Sequence, residues 1–396
     1  MSMTTNMQVV LIDFNLLTTE LPSWGLNKKA YDLIRRQKTS RLLKLRAIPE
    51  NLKPLLEKVF TGGNESVTFI CSKEKEAFFF DAVIAGSEED LSTTAERLKQ
   101  IEGEPAELGL MIERTLAGLS KIRPAELTLG NYRLPLGGKT LIMGILNITP
   151  DSFSDGGRFN RIEKALEQAY LMAEEGADII DIGGESTRPG HTPITIEEEL
   201  TRVMPVISTL KKDNSFKIPL SIDTYKAAVA EQALSAGVEM LNDIWGLKKD
   251  RSLGRVAAKY RVPVCLMHNR HSTVYADLIP DIIQELEKSI DFAHRAGIED
   301  DKIIVDPGIG FGKDLQQNLD VMRHLQLFCG LGYPLLLGTS RKSMIGKTLD
   351  LPVDDRLEGT LATIVYGIIA GADIVRVHDV KQVRRAAAMT DAIIRR

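Results

Sequence analysis

The chain has 396 residues, a formal net charge of −4, and 26% charged against 43% hydrophobic residues. Those proportions match soluble globular proteins and exclude wholesale disorder or a fibrous repeat. The length exceeds one compact domain and fits a large domain with a smaller one. Without a global basic excess, neither nucleic acid nor an anionic membrane surface is expected as a partner, although a local basic pocket is allowed.

The first residues, MSMTTNMQVVLIDFNLL, place no positive charge ahead of their short apolar stretch, so no signal peptide is expected. No apolar run approaches the roughly 20 residues that span a bilayer, and a cytoplasmic location is expected. Cys71, Cys265 and Cys329 are too few and too widely spaced for a disulfide framework or a CxxC motif. The apolar neighbours of Cys265 and Cys329 predict buried small hydrophobes.

Along the chain, QVVLIDF, KLRAI, SVTFICS and AFFFDAVIAG predict strands, with helices at ENLKPLLEKVF and ELGLMIERTLAGLSK. Residues 1–135 therefore read as a small α+β domain without a recognisable catalytic motif, and TLGNYRLPLGG (128–138) reads as its join to the rest. From about residue 140 the pattern changes. Short β-branched runs alternate with amphipathic stretches at TLIMGILN (140–147), ADIIDIGG (177–184), KIPLSIDT (217–224), EMLNDIWG (239–246), VPVCLMH (262–268), KIIVDPGIGF (302–311), YPLLLGTS (333–340) and ADIVRVHD (372–379). A helical stretch follows each strand, and several end in Ala-Gly or Glu-Gly, as a glycine cap beyond the last turn predicts. Eight βα units predict an α/β fold: a (β/α)₈ TIM barrel over residues 136–396, with a doubly wound open sheet as the alternative.

A barrel of this kind carries its chemistry where strands end. Polar residues do collect there: Asn147; Asp181 with Glu185, Ser186, Thr187 and Arg188; Asp223; Asn242 with Asp243; His268; Asp306; Ser340, Arg341 and Lys342; Arg376 with His378. Core packing alone would place apolar side chains at those positions. GGKT (137–140), IGKT (345–348) and GIGFGK (308–313) suggest phosphate loops, but none has the glycine spacing of a nucleotide P-loop.

NITPDSFSDGGRF, which follows the first strand, and GADIIDIGGESTRPG, which spans the second, resemble the two signature segments of dihydropteroate synthases. PLSIDT, EMLNDIWG, LMHNR, IIVDPGIGFGK, GTSRKSMIG and RVHD continue the resemblance in order. It covers about 137–396 and leaves the N-terminal region aside. The resemblance implies condensation of 7,8-dihydropterin-6-ylmethyl diphosphate with p-aminobenzoate, giving 7,8-dihydropteroate and diphosphate. It places Asp223, Asn242, Asp306 and Lys342 on the pterin. Thr187, Arg188, Arg376 and His378 fall around the diphosphate, and Asn147 contacts Mg²⁺. Arg376 is expected to stack on the pterin face. Phe153, Pro189, Phe311 and Ser343 would form the p-aminobenzoate side. Asp223, Asp306, Lys342 and Arg376 are the catalytic candidates, and the family makes the chain a sulfonamide target.

LMHNRHST departs from the Met-Gln that many members carry after its first histidine, so His268 and His271 are read as satisfied polar residues of the rim, although HxxH suggests a metal. The resemblance also implies a homodimer formed through outer helices, for which the apolar GTLATIVYGIIAG is suited. Two alternatives share the pterin contacts: a corrinoid-type methyltransferase barrel and a non-catalytic pterin sensor. Neither needs a diphosphate anchor.

Overall fold

The structure is a computed structural model and describes residues 7–11, 41–61, 67–71, 79–120, 124–149, 158–186 and 192–395. Two compact units are present: Met1–Ile122 with Gln326–Gly332, and Arg123–Leu325 with Tyr333–Arg396. Among the described residues, no helix is long and apolar enough to cross a membrane.

In the first unit, β1 (Gln8–Leu11), β2 (Arg41–Pro49), β3 (Thr68–Cys71) and β4 (Phe79–Gly86) form an antiparallel sheet in the order β1-β2-β4-β3. Side chains alternate between sheet faces. Leu43, Leu45, Phe80, Ala82 and Ile84 thereby share one buried cluster with Leu56, Phe60, Leu98 and Ile112 from helices. The helices are Lys53–Thr61, Glu88–Lys99 and Glu104–Ser120. The second was not anticipated: EEDLSTTAERLK is mostly polar, and only Leu91, Ala95 and Leu98 with Thr94 mark its buried side. Ser87 accepts from the Asp90 amide at 3.1 Å and caps it.

The second unit holds eight parallel strands: β7 (Leu141–Asn147), β8 (Ile179–Gly183), β9 (Leu220–Asp223), β10 (Met240–Asp243), β11 (Val264–Met267), β12 (Ile303–Asp306), β13 (Leu336–Leu337) and β14 (Ile374–Val377). Their order is β12-β11-β10-β9-β8-β7-β14-β13, and a parallel bridge between Val305 and Leu335 joins the two ends. The sheet therefore closes into a barrel, and the open-sheet alternative fails. Helices lie between successive strands at Arg158–Glu174, Ile196–Lys212, Ala227–Ser235, Ser252–Tyr260, Leu278–Arg295, Leu315–Arg323 and Leu357–Ile369, with Val380–Ile394 after the last. Gly176 ends the first of these turns with φ +93°, as the Glu-Gly pattern predicts.

A hairpin of β5 (Glu126–Leu129) and β6 (Tyr132–Pro135) belongs to this unit. Its Leu127 and Leu129 are buried with Leu141, Met143, Ile179, Met240, Cys265, Ile304, Leu336 and Ile374, the inward layer at the strand starts. The expected boundary at 135 is therefore too late. The division falls at 122/123, because the segment expected as a join is part of the barrel core.

Acidic side chains hold the strand starts. Asp178 accepts from the Ile142 amide at 2.8 Å, Glu239 from Leu220 at 2.9 Å, Asp373 from Leu335 at 2.9 Å and Asp391 from Thr140 at 2.7 Å. Polar groups at this end satisfy backbone donors and serve stability. The opposite end is left for chemistry.

Candidate functional site

Inward side chains recur every second residue along a strand. Moving up from the apolar layer, the next inward positions are Ile145, Asp181, Ser221, Asn242, Met267, Asp306 and Arg376, and most are polar. A cavity of about 420 Å³ opens above them. Its lining includes Asn147, Asn242, Met267, Asp306, Phe311, Ser340, Lys342, Ser343, Arg376 and His378. Of the rim candidates that the structure describes, Asn147, Asn242, Asp306, Ser340, Arg341, Lys342, Arg376 and His378 converge on this one cavity within the barrel unit.

Arg376 organises its floor. Nε donates to Asp181 Oδ2 at 2.6 Å and Nη2 to Asp223 Oδ2 at 2.7 Å. Asn242 Nδ2 also donates to Asp181 Oδ2, at 2.8 Å. Burial opposes the Arg376 charge, but Asp181 and Asp223 more than restore it and raise its pKa above the ordinary value. Burial also pushes Asp223 up to about 7 against the pull of Arg376. Asp181 Oδ1, Asp223 Oδ1 and Ser221 Oγ are buried without a hydrogen-bond partner. Such orphaned acceptors cost free energy unless a ligand donor meets them.

On the other side, Asp306 Oδ1 accepts from the Gly308 amide at 2.7 Å. Burial raises the Asp306 carboxyl, with Lys342 pulling it back. Lys342 donates to the Ile309 carbonyl, and its Nζ lies 4.7 Å from the centre of the Phe311 ring. Burial lowers Lys342 to about 8, partly offset by Asp306. Ser340 Oγ lies 3.0 Å from His378 Nδ1 and orients that ring. Ser343 opens the helix Ser343–Leu349 and is exposed on the cavity wall. Asn147 ends β7, and its Oδ1 lies over Gly183: a Cβ there would come within 3.3 Å of it.

Other rim residues have structural partners. Asp243 carboxylate oxygens accept from the Trp245 amide at 2.9 Å and the Leu247 amide at 2.6 Å, fixing the turn after β10. Glu185 accepts from the Tyr225 hydroxyl at 2.9 Å and from Lys226. Arg341 pairs with Asp379, with Nε at 3.0 Å. His268 is buried against Lys313, and the His271 ring lies 4.8 Å from the Trp245 ring. Among the described residues, no group of three or more His, Cys, Asp or Glu is placed to hold a metal. The three cysteines form no disulfide, and Cys329 is only half-buried, contrary to the expectation for it. Phe153, Thr187, Arg188 and Pro189 lie outside the described residues.

Residues 143–378 match the family model described as pterin binding enzyme. A dihydropteroate synthase of Clostridium beijerinckii is 58% identical over 269 residues, covering 68% of this chain and 99% of that protein. The chain belongs to the dihydropteroate synthase family of transferases. The solved Clostridium difficile dihydropteroate synthase, in the presence of pteroic acid, is 55% identical, with a TM-score of 0.65 over 66% of this chain and 99% of its own. The Xanthomonas albilineans dihydropteroate synthase in complex with 7,8-dihydropteroate is 38% identical, with a TM-score of 0.63 over 68% and 99%. Residues 1–122 lie outside the family match.

Two floor residues were not assigned a role from the sequence: Asp181, which stands among the strand-tip polar residues, and Ser221. The signal was available. An aspartate flanked by isoleucines in ADIIDIGG, at the same inward register as Asn242 and Asp306, is costly to bury without a partner.

Proposed function

We propose that the chain condenses 7,8-dihydropterin-6-ylmethyl diphosphate with p-aminobenzoate, releasing diphosphate. The observation that carries this reading is that Arg376, which lines the cavity with Lys342, is bonded to Asp181 and Asp223, each of which keeps one orphaned carboxylate oxygen. A pterin edge offers adjacent N–H donors, which suit such oxygens, and Asn242 suits the mixed edge beside them. Lys342 can donate to the pterin carbonyl and ring nitrogen.

Arg376 contacts both aspartates, whereas the family resemblance assigns it to the pterin face and the diphosphate. We infer that it exchanges partners: pterin donors take over Asp223, and the guanidinium turns to the ring and the leaving group. His378, held by Ser340, adds a second donor for the diphosphate. Thr187 and Arg188 would complete that anchor.

In the reaction the methylene C–O bond breaks, and the electron pair leaves with the diphosphate. The pterin delocalises the positive charge, and Asp223 and Asp306 stabilise it electrostatically. The p-aminobenzoate nitrogen then forms the C–N bond and loses its proton. Phe311 with Phe153 and Pro189 would enclose the benzene ring, and Ser343 with a helix-start amide would receive its carboxylate.

A single amide oxygen at Asn147 and no acidic cluster among the described residues suit a Mg²⁺ that arrives with the diphosphate rather than a resident ion. Bound there, Mg²⁺ would neutralise charge on the departing diphosphate. The apolar Tyr366, Ile369, Met389 and Ile393, exposed on the last two barrel helices, support the homodimer reading. A methyltransferase or a sensor leaves the cationic side of the cavity without a purpose. Arylamine-dependent release of diphosphate, blocked by a sulfonamide, tests the assignment; its absence would refute it.

A further inference from the structure

Lys313, which ends the glycine-rich run GIGFGK, and the histidine that follows β11 take no part in the chemistry above, yet they meet inside the barrel unit. Lys313 is buried, and its Nζ lies 2.9 Å from the Gly308 carbonyl, 3.0 Å from the Phe311 carbonyl and 2.9 Å from His268 Nδ1. Among the described residues it forms no ion pair with a carboxylate. Burial lowers Lys313 to about 7; as an ammonium it has only donors, so in that form His268 Nδ1 accepts and the ring proton sits on Nε2, 3.4 Å from Glu285. Instead of reaching out to a phosphate, this lysine folds back into its own turn.

The turn rests directly on the end of β11. Gly308 has φ +71°, and a Cβ there would fall 1.9 Å from the His268 carbonyl oxygen. Around this seat the turn carries three parts of the site. Asp306 accepts from the Gly308 amide, Ile309 accepts from Lys342, and Phe311 places its ring under the Lys342 ammonium. Lys313 joins the first carbonyl of the turn to that of Phe311 without lining the cavity itself.

We propose that Lys313, seated on His268, is a positioning residue for the arylamine side of the site: it clamps the 308–312 turn and thereby sets the Phe311 ring against the second substrate. The identity of that substrate rests on the proposed function. The clamp itself does not.

The experiment uses the full chain with Lys313→Met, His268→Asn, which keeps an acceptor near the Nδ1 position, and His268→Leu, which removes it. In Lys313→Met, the KM for p-aminobenzoate rises by about ten- to a hundredfold, the loss expected for a hydrogen bond to a charged group. The dissociation constant of 6-hydroxymethyl-7,8-dihydropterin stays within about threefold, because the acceptors at Asp181, Asp223 and Asn242 lie on β8, β9 and β10, away from the turn. Amide hydrogen exchange across 308–312 quickens by at least about tenfold, while β7 to β10 keep their protection. His268→Asn stays near the unmodified chain, and His268→Leu follows Lys313→Met. Unchanged exchange in the turn, or equal loss of both ligands with barrel-wide exchange, overturns the proposal. If the unmodified chain shows no arylamine-dependent turnover, the functional reading fails, and the exchange data still decide the clamp.

Discussion

Arg376 Nη2 lies 2.7 Å from Asp223 Oδ2 and so joins β14 to β9 across the barrel mouth, 153 residues apart in the chain. The same guanidinium bonds Asp181, so one cation neutralises two buried carboxylates. This contact keeps the unliganded floor tolerable, and the proposed function requires its exchange when a pterin binds.

Arg376→Met should therefore damage stability as well as turnover. Removing one partner of a buried charge network costs about 3–5 kcal/mol. Urea denaturation of this variant should show a loss of that size, and a loss below about 1 kcal/mol would mean that the carboxylates do not depend on Arg376.

Lys342→Ala removes the group assigned to the pterin carbonyl and ring nitrogen, and Asp306→Ala one assigned to stabilising the developing charge. Each should lower kcat by about 10²–10³-fold or more, as losing one preorganised electrostatic group does. Near-normal turnover in either variant, measured by diphosphate release, contradicts its assigned role.

Acidity gives a third expectation. Burial raises Asp223 to about 7 and lowers Lys342 to about 8. Because kcat/KM for the dihydropterin diphosphate reports the free enzyme, it should climb as pH rises to about 7 and fall above about 8. Stability runs the other way on the acid side. Between the ordinary 3.8 and about 7, folded Asp223 keeps a proton that the unfolded chain has released, so unfolding free energy declines as pH rises through that window. Asp223→Asn should remove this share of the decline. Asp243, raised by burial to about 6, should retain its own.

The exposed apolar face is tested by assembly. Ile369 and Ile393 are 61% and 69% exposed on neighbouring helices. The unmodified chain should sediment as a dimer, and the double change Ile369→Glu and Ile393→Glu as a monomer. An unmodified chain that is monomeric at high concentration would remove the dimer reading.

Most of the barrel could be read from the sequence because period-two and helical patterns alternate without interruption after residue 140. The site was readable because strand tips that should be apolar were polar: Asn147, Asn242, Asp306, Lys342, Arg376 and His378 all line one cavity. Asp181 shares the inward layer of Asn242 and Asp306 but stands two residues before the end of its strand, where alternation places it and no loop motif gives it a role. The β5–β6 hairpin reads as a join in the sequence because two short strands rich in glycine and proline at their ends look alike in a linker and in a plug. Only the burial of Leu127 and Leu129 separates the two. The role of Lys313 was unreadable for a different reason: a lysine after glycines suggests an outward phosphate contact, and only three-dimensional placement shows that it turns inward.

The central claim is that this cavity joins a dihydropterin methylene to an arylamine with loss of diphosphate. The most direct measurement incubates the purified chain with 7,8-dihydropterin-6-ylmethyl diphosphate and Mg²⁺, with and without p-aminobenzoate, and quantifies diphosphate and dihydropteroate together. Equal amounts of both products are expected only when p-aminobenzoate is present, with formation suppressed by a sulfonamide. Diphosphate released at the same rate without the arylamine, or no dihydropteroate in its presence, would contradict it.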